Sequence, residues 1–416
     1  MLFPKATITQ WIDAHRSEIL DTYQSILRIP ALSPENGGNG EWDKTRKILE
    51  ILSAWGWGDW IEVIEIPDER AQKGTRPNII ITYNPTSLAL DEGGCIISVA
   101  HLDVVPVGDL SQWDHDPFDP VVIEGKLFGR GTEDNGQGLI CSLYGLKCIV
   151  DLQLPVSHSI KIVLVADVEM GSKYGIQPLV KQNLFNPNDL VVVPDAGVVS
   201  GLEIEVAEKI PLRVEITTEG RQGHAARPTD ALNTQPIANK LATLLFDRLH
   251  SQFAGTDPLF YPPVSTFEPT KRKNNVENVN TLPGKDIQWW DCRLLPSAPK
   301  DEIQELFLST AREIEQESGA TITVEFRSHD FQVPVITADT PVVKRLQKAI
   351  GTMIPGEIKL VGIGGGTCAA FFRFEGIPAI VWGHMAHVAH ETNEHCVMDY
   401  LYTDIAIFAA FFLDLD

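Results

Sequence analysis

The sequence predicts an α/β protein with a mostly parallel sheet, interrupted by an inserted α+β domain. In the first part of the chain, short runs that are apolar throughout alternate with helical patterns, which is typical of parallel strands covered on both faces. The pattern then changes to strand, helix, strand, strand, helix, strand, the order of a compact two-layer unit with an antiparallel sheet. Patterns of the first kind return near the end, so we expect the chain to re-enter its first domain.

Each predicted element of the first domain follows from a stretch of the sequence. The strands are indicated by four apolar runs, and two stretches with helical periodicity separate them. The strands are NIIITY (78–83), CIISVA (95–100), IKIVLVAD (160–167) and DLVVVPD (189–195), and the helices are GQGLICSLYGLKCIVDL (136–152) and YGIQPLVKQNLF (174–185).

The inserted domain and the return of the chain are predicted in the same way. Alternating or amphipathic patterns over PLRVEITTE, TQPIANKLATLLFDRLHS, VSTFEP, DIQWWDCRLLP, DEIQELFLSTAREIEQESG and TITVEFRS predict the order βαββαβ. A helix (TPVVKRLQKAIGTMI), a strand (GIPAIVWG) and an apolar closing helix (YLYTDIAIFAAFFLDL) follow. We therefore predict one domain from residues 1–207 and 328–416, and an inserted domain from residues 208–327. A length of 416 residues suits two such domains.

Composition limits the classes of partner. The formal net charge of −22 argues against nucleic acid or an anionic membrane and suits a site built from carboxylates. No run reaches the ~18 apolar residues of a membrane span, and the first residues predict an amphipathic helix in place of a signal peptide. The six cysteines are far apart and form no CxxC pair. These features predict a cytoplasmic protein with reduced thiols.

Acids and histidines follow the ends of the predicted strands, where open α/β sheets bind their ligands. Singly, each has a simpler explanation: a strand-end histidine capped by Asp103 is more often structural, and Asp134 in GRGTEDNGQG fits a turn or a helix cap. A phosphate loop is excluded there, because no GKS or GKT follows and two acids would repel the phosphate. Together, two histidines and three carboxylates suit a pair of zinc ions with one bridging carboxylate. These candidate ligands are His101, Asp134, Glu169, Asp195 and His390.

The histidine-rich stretch GHMAHVAHETNEHC (383–396) allows a second interpretation. His384, His387 and His390 are spaced three residues apart, so on a helix they would share a face and could form a separate metal site. We favour His390 as a single ligand, with the other two as solvated or supporting groups.

Eight ordered motifs then give the sequence a family resemblance. HLDVVP, GRGTEDN, DVEMGS, VVPDAG, GHAARP, DCR, GGGT and HETNE occur in the order and at roughly the spacing of the M20 metallopeptidase and deacylase family. The resemblance spans nearly the whole chain and implies a zinc-hydrolase domain with an inserted lid and dimerisation domain. It implies that His101 and Asp195 hold one zinc ion, that Glu169 and His390 hold the other, that Asp134 bridges them, and that Asp103 orients His101.

The resemblance also implies residues that contact the substrate, and a homodimer. His224 matches a lid histidine that in dimeric members reaches the partner's site to stabilise the tetrahedral intermediate. Arg293 in DCR is similar to an arginine that binds a substrate carboxylate, although an outward-facing arginine on a strand is the competing interpretation. Asn280 and the loop of Gly364, Gly365, Gly366 and Thr367 are similar to further substrate-contacting positions.

Two positions depart from the family pattern. The strand-end motif of the family usually reads Asp/Glu-Glu-Glu, and its middle glutamate is the general base that takes a proton from the attacking water. That position is Val168 here, and Cys368 stands where many relatives carry an aspartate. Loss of a general base is expected to cost ~10²–10⁴-fold or more in rate. A natural loss of function, a deliberate inactivating change, and a base displaced to Asp167, Glu133 or Glu391 all remain open.

Three functions compete on this sequence. The first is zinc-dependent hydrolysis of the amide bond of a small, carboxylate-bearing N-acyl amino acid or dipeptide, impaired by Val168. The second is a pseudoenzyme that binds metal and such a ligand without turnover, and the third is a dimeric scaffold. A cationic Arg293 favours deacylase or dipeptidase action over aminopeptidase action. Cobalt or manganese would fit the same ligands as zinc. We also expect the lid to move about linkers near residues 207 and 328.

Overall fold

The computed structural model describes residues 4–85, 94–328 and 339–413. The chain forms two compact units. The first contains the described residues within Met1–Val206, Pro334–Val361 and Thr367–Asp416, and the second contains those within Ala207–Val333 and Gly362–Gly366. Assigning these units to catalysis and to a lid stays a prediction.

Helices and strands alternate through much of the first unit. The second unit contains longer strands, which pair antiparallel. The helices are α1 (Lys5–Leu27), α2 (Trp42–Ala54), α3 (Gly138–Asp151), α4 (Ile176–Val180), α5 (Thr234–Gln252), α6 (Lys300–Ser318), α7 (Pro341–Met353), α8 (Ala369–Phe374) and α9 (Met398–Phe412). The strands are β1 (Ile61–Pro67), β2 (Thr75–Tyr83), β3 (Ile96–His101), β4 (Val121–Ile123), β5 (Lys126–Phe128), β6 (Ile160–Val165), β7 (Leu190–Val193), β8 (Glu203–Glu208), β9 (Ile210–Glu219), β10 (Gly223–His224), β11 (Thr266–Asn274), β12 (Thr281–Leu282), β13 (Lys285–Leu294), β14 (Thr321–Ser328), β15 (Lys359–Ile363), β16 (Ala379–Val381) and β17 (His395–Val397).

The large sheet is mixed, with a parallel centre. Its strand order is β1-β2-β6-β3-β7-β16-β8-β15. Strands β6, β3, β7 and β16 are parallel, as the apolar runs predict, whereas β1 and β2 pair antiparallel and β2 pairs antiparallel with β6. The short connection between β1 and β2 explains why these two strands pair antiparallel, because neighbouring strands joined by a short turn form a hairpin. The α/β class is therefore confirmed, and the sheet is less uniformly parallel than the sequence predicts.

Helices cover both faces of the parallel centre. Helices α1, α3, α7 and α9 pack with one another on one face, and α4 and α8 pack together on the other. All six residues of β3 are buried. Oγ of Ser98 in β3 lies 2.7 Å from Oγ of Ser142 in α3, so this helix is tied to the strand whose end carries His101.

The second unit has the predicted βαββαβ order. Its sheet has the order β11-β13-β9-β14, with each neighbouring pair antiparallel. Residues of β13 alternate between buried and partly buried, which matches a sheet with one face against helices. Helices α5 and α6 supply the other half of that core. β10 and β12 pair in a short antiparallel ladder that was not predicted. In the sequence, β10 follows β9 and β12 precedes β13.

Two further properties concern the described part of the chain. Its helices all lack the combination of length and apolarity that crossing a bilayer requires. All six cysteines are free thiols.

Candidate metal centre

Three neighbouring parallel strands bring candidate ligands to one edge of the sheet. His101 is the last residue of β3 and lies opposite Val165, the last residue of β6. Glu169 follows β6 by four residues, and Asp195 follows β7 by two. Because the carboxyl ends of parallel strands meet at one edge, these side chains approach one another although they are far apart in the sequence.

Asp134 is brought to the same edge by its neighbour Asn135. The side-chain oxygen of Asn135 accepts the main-chain N–H of His101 at 3.1 Å. The side-chain amide of Asn135 donates to the carbonyl oxygen of Pro194. One buried amide thus fastens the glycine-rich loop to the ends of β3 and β7. Asn135 is not recognisable as a functional residue from the sequence, because nothing local distinguishes it from an ordinary turn asparagine.

All five predicted ligands converge. Nε2 of His101 lies 2.9 Å from Oδ1 of Asp134 and 3.2 Å from Oδ1 of Asp195. Nε2 of His390 lies 2.9 Å from Oδ2 of Asp134 and 3.2 Å from Oε2 of Glu169. Asp134 therefore stands between the two histidines and turns one oxygen to each. Such a position suits a carboxylate shared by two ions.

Asp103 holds both a histidine and the turn after β6. Nδ1 of His101 lies 3.0 Å from the carbonyl oxygen of Asp103 and 3.5 Å from its Oδ1. The two carboxylate oxygens accept the main-chain N–H groups of Val168 and Glu169, each at 3.0 Å. A proton held on Nδ1 leaves the lone pair of Nε2 directed at the carboxylates, which is the tautomer a metal ligand needs.

Burial and the charges of neighbouring groups shift the pKa values of the site residues in different directions. Burial would lower the pKa of His101, but the surrounding carboxylates, Asp195 foremost, raise it well above its usual value. Hydrogen bonds to Asp134 and Glu169 raise the pKa of His390 to about 10. Burial raises the pKa of Glu169 to about 7 and also raises that of Asp195. Burial acts in the same sense on Asp134, yet the two histidines hold its pKa below the usual range.

The donor set fits divalent metal ions. Ligand atoms of His101, Asp134 and Glu169 all lie within 4.8 Å of one another. Oε1 of Glu169 is buried and has no hydrogen-bond partner among the described residues, which leaves it available to a cation. When the histidines are neutral and the acids are ionised, four negative charges lie in one small volume, on Asp103, Asp134, Glu169 and Asp195. Two divalent ions would balance that charge, and mixed histidine and carboxylate ligands suit zinc.

The position of the family's general base carries no acid. Val168 is partly buried and packs against the apolar cluster that strands of the large sheet form with helices α4 and α8. Neighbouring Asp167 is buried, accepts the N–H of Tyr174 at 3.0 Å and lies 3.4 Å from Nη1 of Arg76. Burial raises the pKa of Asp167 to about 6.

The other two candidates for a displaced base lie on the glycine-rich loop and after His390. The carboxylate of Glu133 is buried and accepts the N–H groups of Ala386, Val388 and Ala389. Glu391 is exposed. The side chains of Asp167 and Glu133 are thus committed to structural hydrogen bonds.

The spacing argument for a separate histidine site is wrong. Residues 384–393 are not helical, so His384, His387 and His390 do not share a helix face. Nε2 of His384 lies 2.8 Å from the carbonyl oxygen of Val199, and its ring stacks on Tyr400 with centroids 3.7 Å apart. Within the described residues, the group of His101, Asp134 and Glu169 is the cluster with metal-ligand geometry.

Two predicted substrate-contacting residues come together in the second unit. His224 in β10 pairs with Thr281 in β12, and the carbonyl oxygen of Asn280 accepts the N–H of Ala225 at 3.0 Å. Both His224 and Asn280 are exposed, and Val279 beside them is fully exposed. The ladder that was not predicted therefore brings the main chain at Asn280 next to the main chain that follows His224.

Arg293 is already paired. Its Nε lies 2.6 Å from Oδ1 of Asp291 and its Nη2 lies 3.2 Å from Oδ2. Its Nη1 donates to the carbonyl oxygen of Gly364 at 3.2 Å. The guanidinium is partly exposed and is bonded to the glycine loop. Arg293 therefore does not simply face outward from its strand, and it already has an acidic partner in Asp291.

The loop that begins at Gly364 has open space around its glycines, whereas the two residues that follow them are buried. A side chain added at Gly364, Gly365 or Gly366 would meet nothing within 4 Å. Thr367 is buried, and its Oγ1 accepts the N–H of Ala369 at the start of α8. Cys368 is buried beside it, and burial raises the pKa of its thiol well above the usual value.

Known relatives share the sequence over nearly their whole length. An "uncharacterized metallohydrolase" of Methanocaldococcus jannaschii is 34% identical over 396 residues, covering 91% of this chain and 94% of the relative. A succinyl-diaminopimelate desuccinylase of Nautilia profundicola is 26% identical over 376 residues, covering 90% of this chain and 93% of the enzyme.

Solved structures share the fold at lower identity. The di-peptidase Dug1p from Saccharomyces cerevisiae superposes with a TM-score of 0.77 at 15% identity, covering 99% of this chain and 98% of that one. A tripeptidase from Staphylococcus aureus gives a TM-score of 0.72 at 20% identity, covering 95% and 96%. The family model described as peptidase family M20/M25/M40 matches residues 97–414. With its ligand motifs gathered at one edge of the sheet, the chain belongs to peptidase family M20/M25/M40 and is a metallohydrolase of that family.

Proposed function

We propose that the chain hydrolyses the amide bond of a small N-acyl amino acid or dipeptide at a site holding two zinc ions, and that Val168 makes this activity weak. The observation that carries the proposal is that the two oxygens of Asp134 each approach Nε2 of a histidine, His101 or His390, and that Glu169 approaches the same nitrogen of His390. In this proposal His101 and Asp195 hold one ion, Glu169 and His390 hold the other, and Asp134 bridges them. A pair of divalent cations polarises a carbonyl group and lowers the pKa of water.

The residues of this chain would position that chemistry. Asp103 keeps the proton on Nδ1 of His101 and fixes the turn of Val168 and Glu169 through their N–H groups. Asp103 thus contacts a ligand of one ion through its main-chain oxygen and fixes the turn that carries a ligand of the other ion through its carboxylate. The position from which the family's glutamate would accept a proton is occupied by an isopropyl group, so proton transfer to the leaving nitrogen lacks its usual carrier.

Arg293 supports a substrate that bears a carboxylate. Its planar guanidinium is oriented by Asp291 and by the carbonyl oxygen of Gly364, which keeps it in one place. Pairing with Asp291 reduces its net charge, so we propose that it selects by geometry and contributes moderate affinity. His224 and Asn280 are proposed as further substrate contacts, with His224 acting across a homodimer. Light scattering of the purified protein tests the dimer.

A second function is favoured by the surroundings of Val168. Asp167 and Glu133 are held by structural hydrogen bonds and are not available to replace the missing base, and Glu391 is exposed. A protein that binds metal and an acyl-amino acid or peptide without turning it over would have this composition. The free state of all six cysteines suits a reducing compartment, and we propose the cytoplasm.

One experiment separates the two functions. The metal content of the purified protein is measured, and the protein is incubated with N-succinyl, N-acetyl and dipeptide substrates while binding of the products is followed by calorimetry. Slow, chelator-sensitive hydrolysis supports the enzyme. Binding with no hydrolysis supports the pseudoenzyme, and absence of bound metal after reconstitution with zinc rejects both.

A further inference from the structure

Two loops carry Asp134 and His390, and each loop is held by a buried carboxylate that belongs to the other. The first loop contains Glu133, directly before Asp134. The second contains Glu394, four residues after His390. Glu133 and Glu394 are both buried.

Glu394 binds the loop of Asp134. Its Oε1 accepts the N–H groups of Glu133 at 2.8 Å and of Asp134 at 3.0 Å. Its Oε2 accepts the N–H of Gly131 at 3.0 Å and lies 2.6 Å from Nη1 of Arg130. The same residue also accepts the N–H of Gly129 with its main-chain oxygen, at 2.9 Å. A single side chain thus accepts three main-chain N–H groups of an irregular loop.

Glu133 binds the loop that leads to His390. Its Oε2 accepts the N–H of Ala386 at 2.7 Å, and its Oε1 accepts those of Val388 at 2.8 Å and Ala389 at 3.3 Å. Ala386 and Val388 are partly buried and Ala389 is exposed, and all three lie in irregular backbone that the carboxylate orders. The segment before His390 therefore depends on the carboxylate of the other loop.

We propose that Glu133 and Glu394 are positioning residues that form a reciprocal clamp, setting Asp134 and His390 at a fixed separation before any ion binds. Hydrogen bonds from N–H groups to a buried carboxylate are charge-assisted and strong. Each carboxylate lies on a loop that the other one orders, so loss of either relaxes both loops. The clamp consists of hydrogen bonds within the protein. Its effect on metal binding rests on the proposed function, in which Asp134 and His390 are metal ligands.

Replacing either glutamate by glutamine preserves its size and removes one acceptor. In Glu133→Gln, the new amide group would face an N–H of the second loop, and two donors cannot bond to each other. In Glu394→Gln, the amide would face either N–H groups of the first loop or the guanidinium of Arg130. Each substitution therefore tests the hydrogen bonds with little change in volume.

Hydrogen exchange of the metal-free wild-type protein tests the clamp without any substitution. We expect the amide protons of residues 131, 133, 134, 386, 388 and 389 to exchange at least ~100-fold more slowly than in an unstructured peptide. If both loops exchange as fast as such a peptide when metal is removed, the clamp does not exist before metal binding and the proposal is overturned.

Cobalt binding then tests the positioning role. We expect Glu133→Gln and Glu394→Gln to weaken Co²⁺ binding about 10- to 100-fold and to alter its visible absorption spectrum. The matched control is Asp189→Asn. Asp189 is a buried carboxylate of the same unit that accepts the N–H groups of Cys95 and Asn186. It directly precedes β7, whereas Asp195 follows the other end of that strand. The control should lower stability and leave the cobalt affinity and spectrum unchanged.

The outcomes distinguish this inference from the proposed function. Variants that bind cobalt like the wild-type protein overturn the positioning role. If a glutamine variant does not fold, exchange in the wild-type protein still decides whether the clamp exists. If the wild-type protein binds no cobalt, the proposed metal site fails, while slow exchange in both loops would still establish the clamp.

Discussion

The carboxylate of Asp167 lies 3.4 Å from Nη1 of Arg76, in a buried ion pair directly beside Val168. Arg76 also binds Glu41 through Nε at 2.7 Å, and Asp167 accepts the N–H of Tyr174. The acid next to the missing base is therefore part of the framework that shapes the turn. This relationship makes a simple exchange of roles between positions 167 and 168 unfavourable, and it leads to the first two predictions.

Substitution of Val168 by glutamate should restore the family's base. Its N–H is already held by Asp103, so the backbone of the turn is in place for the new side chain. We expect Val168→Glu to raise kcat on the best acyl-amino acid or dipeptide by ~10²–10⁴-fold. Val168→Gln is the matched control, with nearly the same shape and no basicity. Equal activation by both variants would contradict a role in proton transfer.

Substitution of Asp167 by asparagine should affect stability more than chemistry. The change removes one of the negative partners of Arg76 in the protein interior, so we expect the free energy of unfolding to fall by about 1–3 kcal/mol. Residual hydrolysis per folded molecule should stay within a few-fold of the wild-type rate. Urea unfolding and initial-rate assays at one pH measure both effects. A folded Asp167→Asn protein without residual activity would identify Asp167 as a displaced base.

Removal of metal should destabilise the protein, and single ligands should differ in their effect. An ion that binds only the native state adds about 2.7 kcal/mol at 100 times its dissociation constant. A chelator should therefore lower the melting temperature. His390→Ala should retain about one ion per chain, since His101 and Asp195 remain, whereas Asp134→Asn should weaken both sites. Metal analysis after dialysis measures this difference, and equal losses in the two variants would refute the bridging role of Asp134.

A buried acid away from the metal centre should make stability depend on pH. Oδ2 of Asp404 accepts the side-chain N–H of Gln137 at 2.9 Å, but its Oδ1 has no hydrogen-bond partner among the described residues. That oxygen lies 3.9 Å from Nδ1 of His384. Because the carbonyl oxygen of Val199 can only accept, the proton of the neutral His384 ring is on Nε2 and its Nδ1 is an acceptor. Burial raises the pKa of Asp404 well above 3.8, so the protonated acid is favoured.

The sign of the pH effect follows from that shift. Between 3.8 and its raised value, Asp404 binds more protons in the folded state than in the unfolded state. Its contribution to stability is therefore present at low pH and lost as the pH rises. Asp404→Asn mimics the neutral acid, and its amide could donate toward His384. We expect the variant to be more stable than the wild-type protein at pH 8 and nearly equal below pH 4, by urea unfolding. A difference independent of pH would contradict this.

Much of the architecture follows from local pattern. The apolar runs of β3, β6 and β7 and the alternation in β9 and β13 each reflect how their faces are buried, so the α/β class and the βαββαβ order could be predicted. The antiparallel direction of β2 could not be predicted, because a buried parallel strand and a buried antiparallel strand have the same apolar pattern. The ladder of β10 and β12 was missed because two-residue strands carry no periodicity.

The sequence by itself determined which residue types are available: the ligand motifs, their order along the chain, and the absence of an acid at Val168. Only the tertiary structure decided how they are used. It turned both oxygens of Asp134 toward two histidines, committed Asp167 to Arg76, and set Glu133 and Glu394 against each other's loops. The physical reason is that hydrogen bonds and ion pairs between residues far apart in the sequence depend on where the strands end in space. Local sequence patterns carry no record of those distances.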